Sequence, residues 1–278
     1  MDISKKTFEI CKLYEIEPRR SKGQNFLISE KIYDKIVKFA ELEKDDTVME
    51  VGPGLGFLTA KLASQAKEVI AVELDDKLAG FLKDAINSQN VDNVKVINQN
   101  VLDLDLSSIL SSPKAKFKIV ANLPYNITSV FLRRFISENQ IKPELMVLML
   151  QKEVAQRICA GPGEMSLLAC SVQLYADCEV ALDVPASKFW PQPKVDSAII
   201  KLRTKNEELR IDEKQFFQML KFGFAAKRKM LRNNLSAGYR IKPAEADEKL
   251  NAAGIKSTLR PQDLSVDDWL KVYEQFKK

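Results

Sequence analysis

Thr47-Val48-Met49-Glu50-Val51-Gly52-Pro53-Gly54-Leu55-Gly56-Phe57 is the stretch that decides the fold. A short apolar run passes directly into glycines at alternate positions, and an amphipathic helical pattern, Phe57 to Gln65, begins at once. Strand, tight turn and helix follow from this. Glycine at such a turn lets the backbone approach a ligand closely, because no Cβ stands in the way. Twenty-one residues after Gly52, at the C-terminal end of the next apolar run, stands Glu73. A carboxylate there can accept bonds from both hydroxyls of a ribose. The order G-x-G-x-G differs from the dinucleotide fingerprint G-x-G-x-x-G, and no P-loop lysine follows. An adenosyl ligand without a pyrophosphate is therefore favoured, and S-adenosyl-L-methionine is the expected cofactor, with NAD the lesser option.

Outward from this turn, short apolar runs alternate with amphipathic stretches, the pattern of a parallel α/β sheet. Strands are predicted at Thr47 to Val51, Val69 to Leu74, Val94 to Ile97, Lys118 to Ala121, Leu145 to Leu150, Ala176 to Val184 and Ser197 to Leu202. Helices are predicted at Ile32 to Ala40, Phe57 to Gln65, Lys77 to Asn87, Ser129 to Ile136 and Lys152 to Cys159. The last two strands, joined through Pro185, Pro191 and Pro193, read as an antiparallel hairpin at the sheet edge. Ser107 to Ser112 reads as a surface loop. The fold class expected is α/β, a class I methyltransferase Rossmann-like seven-stranded sheet with a small C-terminal all-helical domain. Residues 1–204 would form the S-adenosylmethionine-binding catalytic domain, with an N-terminal lid at about 1–30, and 205–278 a helical RNA-binding domain.

Composition narrows the chemistry. The chain has 278 residues and no histidine, which removes Ser-His and Cys-His nucleophiles and His-containing zinc sites. Its four cysteines form no C-x-x-C pair, so they read as small apolar residues in a reducing compartment, and no metal is expected. The longest apolar run, Leu145 to Leu150, is far too short to span a bilayer, and no secretory signal is visible. A cytoplasmic monomer with no membrane partner is expected. Charge is uneven: residues 201–278 carry 18 Lys+Arg against 11 Asp+Glu, whereas residues 1–200 carry 25 against 27. The positive excess lies in the C-terminal segment, as it would in a region facing a polyanion.

Asn122-Leu123-Pro124-Tyr125 follows the run Lys118 to Ala121, on the same sheet edge as Gly52 and Glu73. An adenine amino nitrogen is a poor nucleophile, since its lone pair is delocalised into the ring. The side-chain oxygen of Asn122 and the carbonyl of Leu123 can accept its two N–H bonds and draw it toward a tetrahedral geometry. Pro124 fixes φ and removes a competing donor. Tyr125 can stack on a base drawn out of an RNA loop, and Phe189, in Phe189-Trp190-Pro191-Gln192-Pro193-Lys194-Val195-Asp196-Ser197, can cover its other face. Asn100, at the third strand end, can accept from a cofactor adenine amino group, with Asp103 as the fallback. Lys22-Gly23-Gln24-Asn25-Phe26-Leu27 reads as a lid over the methionine end or, failing that, an N-capping turn around Asn25. Lys221, Lys227, Arg228, Lys229 and Arg232 fall in a segment without acidic residues and suit phosphate contacts.

Together these residues resemble the KsgA/RsmA family of small-subunit rRNA adenine-N6,N6-dimethyltransferases, a relative of the Erm methyltransferases. The similarity runs through Gly23 to Leu27, Glu50 to Gly54, Glu73-Leu74-Asp75, Asn122 to Ile127, Leu150 to Val154, Phe189 to Ser197 and Lys227 to Asn233. It implies transfer of four methyl groups to two adjacent adenosines in the 3′-terminal hairpin loop of 16S rRNA, within an assembling small subunit. It also implies cofactor contacts at Asn25, Leu27, Gly52, Gly54, Glu73, Asn100 and Asn122, with Tyr125 and Phe189 around the target base. Two departures stand out: Asn100 where the family usually has Asp, and Met165-Ser166 where relatives often read Tyr-Gly. An Erm-like enzyme acting on 23S rRNA is the nearest rival. A non-catalytic assembly factor is another, motivated by Asn100, and a DNA adenine methyltransferase is disfavoured by Asn122, where those enzymes usually carry an acidic residue.

Overall fold

The computed structural model describes residues 2–18, 24–110, 116–205 and 211–277. Lys22 and Gly23 of the predicted lid, and Ser111 and Ser112 of the predicted loop, lie outside the described residues. The chain divides into two compact units: residues 1–155 with 177–204, and residues 156–176 with 205–278.

The first unit is built on strands β1 (Phe26–Leu27), β2 (Thr47–Val51), β3 (Glu68–Glu73), β4 (Val94–Asn98), β5 (Phe117–Asn122), β6 (Leu145–Gln151), β7 (Ala176–Val184), β8 (Phe189–Trp190) and β9 (Ser197–Thr204). Seven of them form one sheet in the order β4-β3-β2-β5-β6-β9-β7. β2 runs parallel to β3 and β5, β3 to β4 and β5 to β6, while β9 is antiparallel to β6. Strands covered on both faces need continuous apolar sequence. Val69-Ile70-Ala71-Val72 and Leu145 to Leu150 are accordingly buried throughout. The strand order reverses between β2 and β5, so their C-terminal ends, Gly52 and Asn122, open a crevice at the switch point.

The seven strands of the main sheet agree with the sequence pattern to within a residue or two, while the short pair β1 and β8 has no counterpart in it. The helices differ more. The predicted Ser129 to Ile136 helix is a short α-helix, Thr128–Leu132, that widens into a π-helix over Arg133–Glu138. Asn25 caps no helix: Ser29 occupies the N-cap of the helix Glu30–Phe39, and Phe26 and Leu27 form β1, paired with β8. The N-terminal helix Ile3–Leu13 was not legible as part of a core, yet it buries Ile3, Thr7 and Cys11.

In the second unit, helices Glu213–Gly223, Leu231–Tyr239, Pro243–Ala252 and Val266–Phe276 pack around the fully buried Trp269. Gly223 is required there, since a Cβ would lie 2.2 Å from the Trp269 ring. The sequence pattern assigned residues 156–176 to the first domain. They group instead with the C-terminal helices, tied by Gly163 N–H to the Gln262 carbonyl and by Lys205 Nζ to the Gln173 carbonyl. Ser166, one of the two unusual residues, caps the helix Leu167–Gln173 by accepting from Ala169 N–H at 3.1 Å.

Candidate active site

A cavity at the crevice is lined by Asn25, Leu27, Glu50, Gly52, Gly54, Glu73, Leu74, Asn122, Leu123, Pro124, Tyr125 and Phe189, among others. The Gly52-to-Gly56 turn forms one wall. Gly52, Gly54 and Gly56 have φ of +69, +56 and +78°, the left-handed region that glycine enters freely. A Cβ on Gly54 would meet the Phe26 ring at 3.3 Å, so side chains here would both strain the backbone and fill the cradle.

Glu73 is nearly buried at the end of β3. Its Oε2 accepts from Gly54 N–H at 3.1 Å and its Oε1 from Asp75 N–H at 2.9 Å. Asp75 in turn caps the helix Asp76–Ser88 through Lys77 and Leu78 N–H groups. The acidic side chain is thus oriented by the turn on one side and a helix cap on the other. Burial raises its pKa, and the backbone bonds oppose that rise.

Glu50 is a functional candidate that the sequence motif does not single out. It is 1% exposed inside β2, its Oε2 lacks a hydrogen-bond partner among the described residues, and burial pushes its pKa up to about 8. The available signal was an acidic residue embedded in an apolar strand, Val48 to Val51, where an unpaired carboxyl is costly. Glu50 and Glu73 both line the cavity, and a protonated Glu50 carboxyl there can donate as well as accept a hydrogen bond.

At the neighbouring strand end, Asn122 Nδ2 donates to the Asn25 carbonyl at 3.3 Å, which orients the amide. Leu123 N–H donates to the Met149 carbonyl at 3.2 Å, and Pro124 has φ −56°. Tyr125 is half-buried, its hydroxyl 2.8 Å from Ser197 Oγ, and burial raises its pKa. Phe189 is buried, held in β8 opposite Leu27. Asn25, Leu27, Gly52, Gly54, Glu73, Asn122, Leu123, Pro124, Tyr125 and Phe189 are therefore brought together on one cavity.

Asn100 is not among the residues lining that cavity. Its Oδ1 accepts from Leu102 N–H at 3.1 Å, capping the turn Val101–Asp103, and its Nδ2 donates to Asp103 Oδ2 at 2.8 Å. The two candidates for adenine recognition are thus bonded to each other, and the strand end keeps a carboxylate through Asp103.

The basic stretch lies in the second unit. Lys221, Lys227, Arg228 and Lys229 are exposed. Arg232 differs: its Nη1 pairs with Asp247 Oδ2 at 3.1 Å, so part of its charge is already engaged. Buried Asn234, which sequence reasoning passed over, donates to the carbonyls of Gly223 and Ala226 at 2.6 and 3.0 Å and fixes the start of the turn that displays Lys227 to Lys229. Among the described residues there is no cluster of metal-ligating side chains, and no helix long and apolar enough to cross a membrane.

A family model described as ribosomal RNA adenine dimethylase matches residues 16–278. The chain is 41% identical over 263 residues to ribosomal RNA small subunit methyltransferase A of Dehalococcoides mccartyi, covering 94% of this chain and 89% of that protein. It is 40% identical to the protein of the same name from Listeria innocua, covering 96% and 93% respectively. Among solved structures, a dimethyladenosine transferase from Plasmodium falciparum superposes with a TM-score of 0.76 at 27% identity, covering 89% of this chain and 96% of that one. The 23S rRNA methyltransferase ErmE superposes with a TM-score of 0.75 at 27% identity, covering 91% and 100%.

Proposed function

The chain belongs to the ribosomal RNA adenine dimethylase family, and on that premise we propose that it dimethylates the N6 amino groups of two adjacent adenosines in the 3′-terminal hairpin loop of 16S rRNA, using S-adenosyl-L-methionine and acting as a cytoplasmic monomer on the assembling small subunit. The observation that carries this reading is the meeting of the Gly52-to-Gly56 cradle and Glu73 with Asn122 to Tyr125 on one cavity. Small-subunit rRNA is preferred over 23S rRNA because the relatives at about 40% identity carry the small-subunit name, whereas the ErmE likeness is at 27%.

Glu73, Gly52 and Gly54 would hold the adenosyl part of the cofactor, while Asn25, Leu27 and buried Glu50 flank the remainder of the cavity. The bound cofactor supplies an electrophilic methyl group on a sulfonium. Asn122 and the Leu123 carbonyl accept the N–H bonds of the target amino group, turning its lone pair out of conjugation. Because Asn122 Nδ2 is taken by the Asn25 carbonyl, the amide oxygen is the atom left to accept. No imidazole is needed, since an alkylated amino nitrogen is strongly acidic and gives up its proton readily. Tyr125 and Phe189 enclose the base and keep water from it.

In this reading the first unit carries the chemistry, and the second presents phosphate contacts from Lys221 and Lys227 to Lys229. Methyl incorporation into purified unmethylated small and large subunits, with the nucleoside identified by mass spectrometry, tests the proposal. N6,N6-dimethyladenosine in small-subunit rRNA is expected. Its appearance in large-subunit rRNA alone would favour the Erm-like activity, and none in either would favour an assembly factor.

A further inference from the structure

We propose that Asp196-Ser197 is a clip that sets the relative positions of the two aromatic walls, Tyr125 and Phe189, so that both residues of the dipeptide are positioning residues for the target base. The inference rests on the reading of Tyr125 and Phe189 as base-stacking groups and goes beyond it by naming what holds them. The two aromatics come from separate connections, Tyr125 from the turn after β5 and Phe189 from the segment between β7 and β9. Connections are the mobile parts of a fold, and a slot one base thick requires both to be fixed against something rigid.

That something is the first residue of β9 and the one before it. Ser197 is fully buried in the ladder opposite Gln151 of β6, and its hydroxyl lies 2.8 Å from the Tyr125 hydroxyl. A buried hydroxyl without a partner is unfavourable, so this pair is self-enforcing. Burial raises the pKa of the phenol, which keeps its proton and can take either role in the bond. Asp196 acts on the other wall. Its Oδ1 accepts from Ala186 N–H at 2.8 Å, at the start of the turn Ala186–Lys188 that leads directly into Phe189. The Asp196 carbonyl accepts from Lys152 N–H at 3.0 Å, locking the dipeptide to the end of β6. The Lys188 carbonyl then accepts from Ile28 N–H at 2.8 Å, which fixes the approach of Phe189 to Leu27. Two adjacent residues thus tie each wall to the same sheet edge.

The test is a set of single-turnover rates on unmethylated small subunits, with cofactor affinity measured in parallel by titration with S-adenosylhomocysteine. Ser197→Ala and Tyr125→Phe each remove one side of the hydroxyl pair and should each slow methyl transfer about tenfold, leaving cofactor affinity within about twofold. The double variant should be no slower than either single one, because both delete the same bond. Asp196→Ala should slow transfer similarly, and Asp196→Asn, which retains an acceptor oxygen, should recover most of the rate. Losses that multiply in the double variant, or a wild-type rate in Ser197→Ala, would overturn the clip. Tyr125→Ala separates the two levels of argument. If it retains the wild-type rate, base stacking itself is refuted; if it is slow while Ser197→Ala is unaffected, only the clip fails.

Discussion

The cavity at the β2–β5 crevice and the stretch from Lys221 to Arg232 handle charge in opposite ways. In the cavity, Glu73 and Asn122 are buried or half-buried and tied before any ligand arrives: Glu73 by two backbone N–H groups, Asn122 by the Asn25 carbonyl. In the basic stretch, Lys221, Lys227, Arg228 and Lys229 stand in solvent, and what is fixed is the backbone beneath the latter three, through Asn234. Oriented groups in a low-dielectric site act at short range and depend steeply on geometry. Exposed cations act through the ionic atmosphere, additively and with strong salt dependence.

Substitutions should divide along that line. The largest effect is expected for Asn122→Ala, which should lower kcat by about a hundredfold, by analogy with loss of one oriented group at a reacting centre, while cofactor affinity changes little. Pre-steady-state rates beside a cofactor titration check this, and a loss confined to affinity would move Asn122 from the chemistry to the cofactor. Next, Glu73→Ala should weaken cofactor binding by about ten- to a hundredfold, the range of a charge-assisted hydrogen bond, with no change in the salt dependence of subunit binding.

Glu50 sharpens the contrast through pH. Its carboxyl titrates near pH 8 in the folded protein against 4.5 for the unperturbed group, so the folded state holds the extra proton between those values. Stability from this group is therefore fully present below about pH 4.5 and is lost as pH rises through about 8, at up to roughly 1.4 kcal/mol per pH unit. Glu50→Gln should gain on the wild type in cofactor-free thermal melts as pH rises from 5.5 to 8.5. A difference between the two that stays constant with pH would mean the carboxyl ionises normally. The smallest effect belongs to the exposed stretch. Lys227, Arg228 and Lys229 replaced together by Ala should weaken subunit binding mainly at low salt, flattening the salt slope by roughly one unit per lost phosphate contact. An unchanged slope would detach the stretch from the RNA.

The same division explains how much the sequence disclosed. Strands β2, β3, β5 and β6 were legible because both faces are buried, and double burial demands unbroken apolar runs such as Leu145 to Leu150. The glycine turn and the tetrapeptide from Asn122 were legible because their chemistry needs particular residues at particular spacings. What sequence missed depends on through-space partners. Ser197 looks like any strand residue until its hydroxyl is found 2.8 Å from that of Tyr125. That Asn100 is bonded to Leu102 and Asp103, its fellow candidate for the adenine, is visible only in the structure. Residues 156–176 follow β6 in the chain and so read as part of the first domain, but their packing partners come from beyond residue 204.

The central claim is that one cavity brings a sulfonium methyl group beside the carbonyl oxygens of Asn122 and Leu123. A crystal structure of the protein with S-adenosylhomocysteine tests it most directly. The account predicts the ribose hydroxyls on the Glu73 carboxylate and the sulfur next to the Asn122 side chain. A ligand bound elsewhere, or one whose sulfur points away from the tetrapeptide, would contradict it.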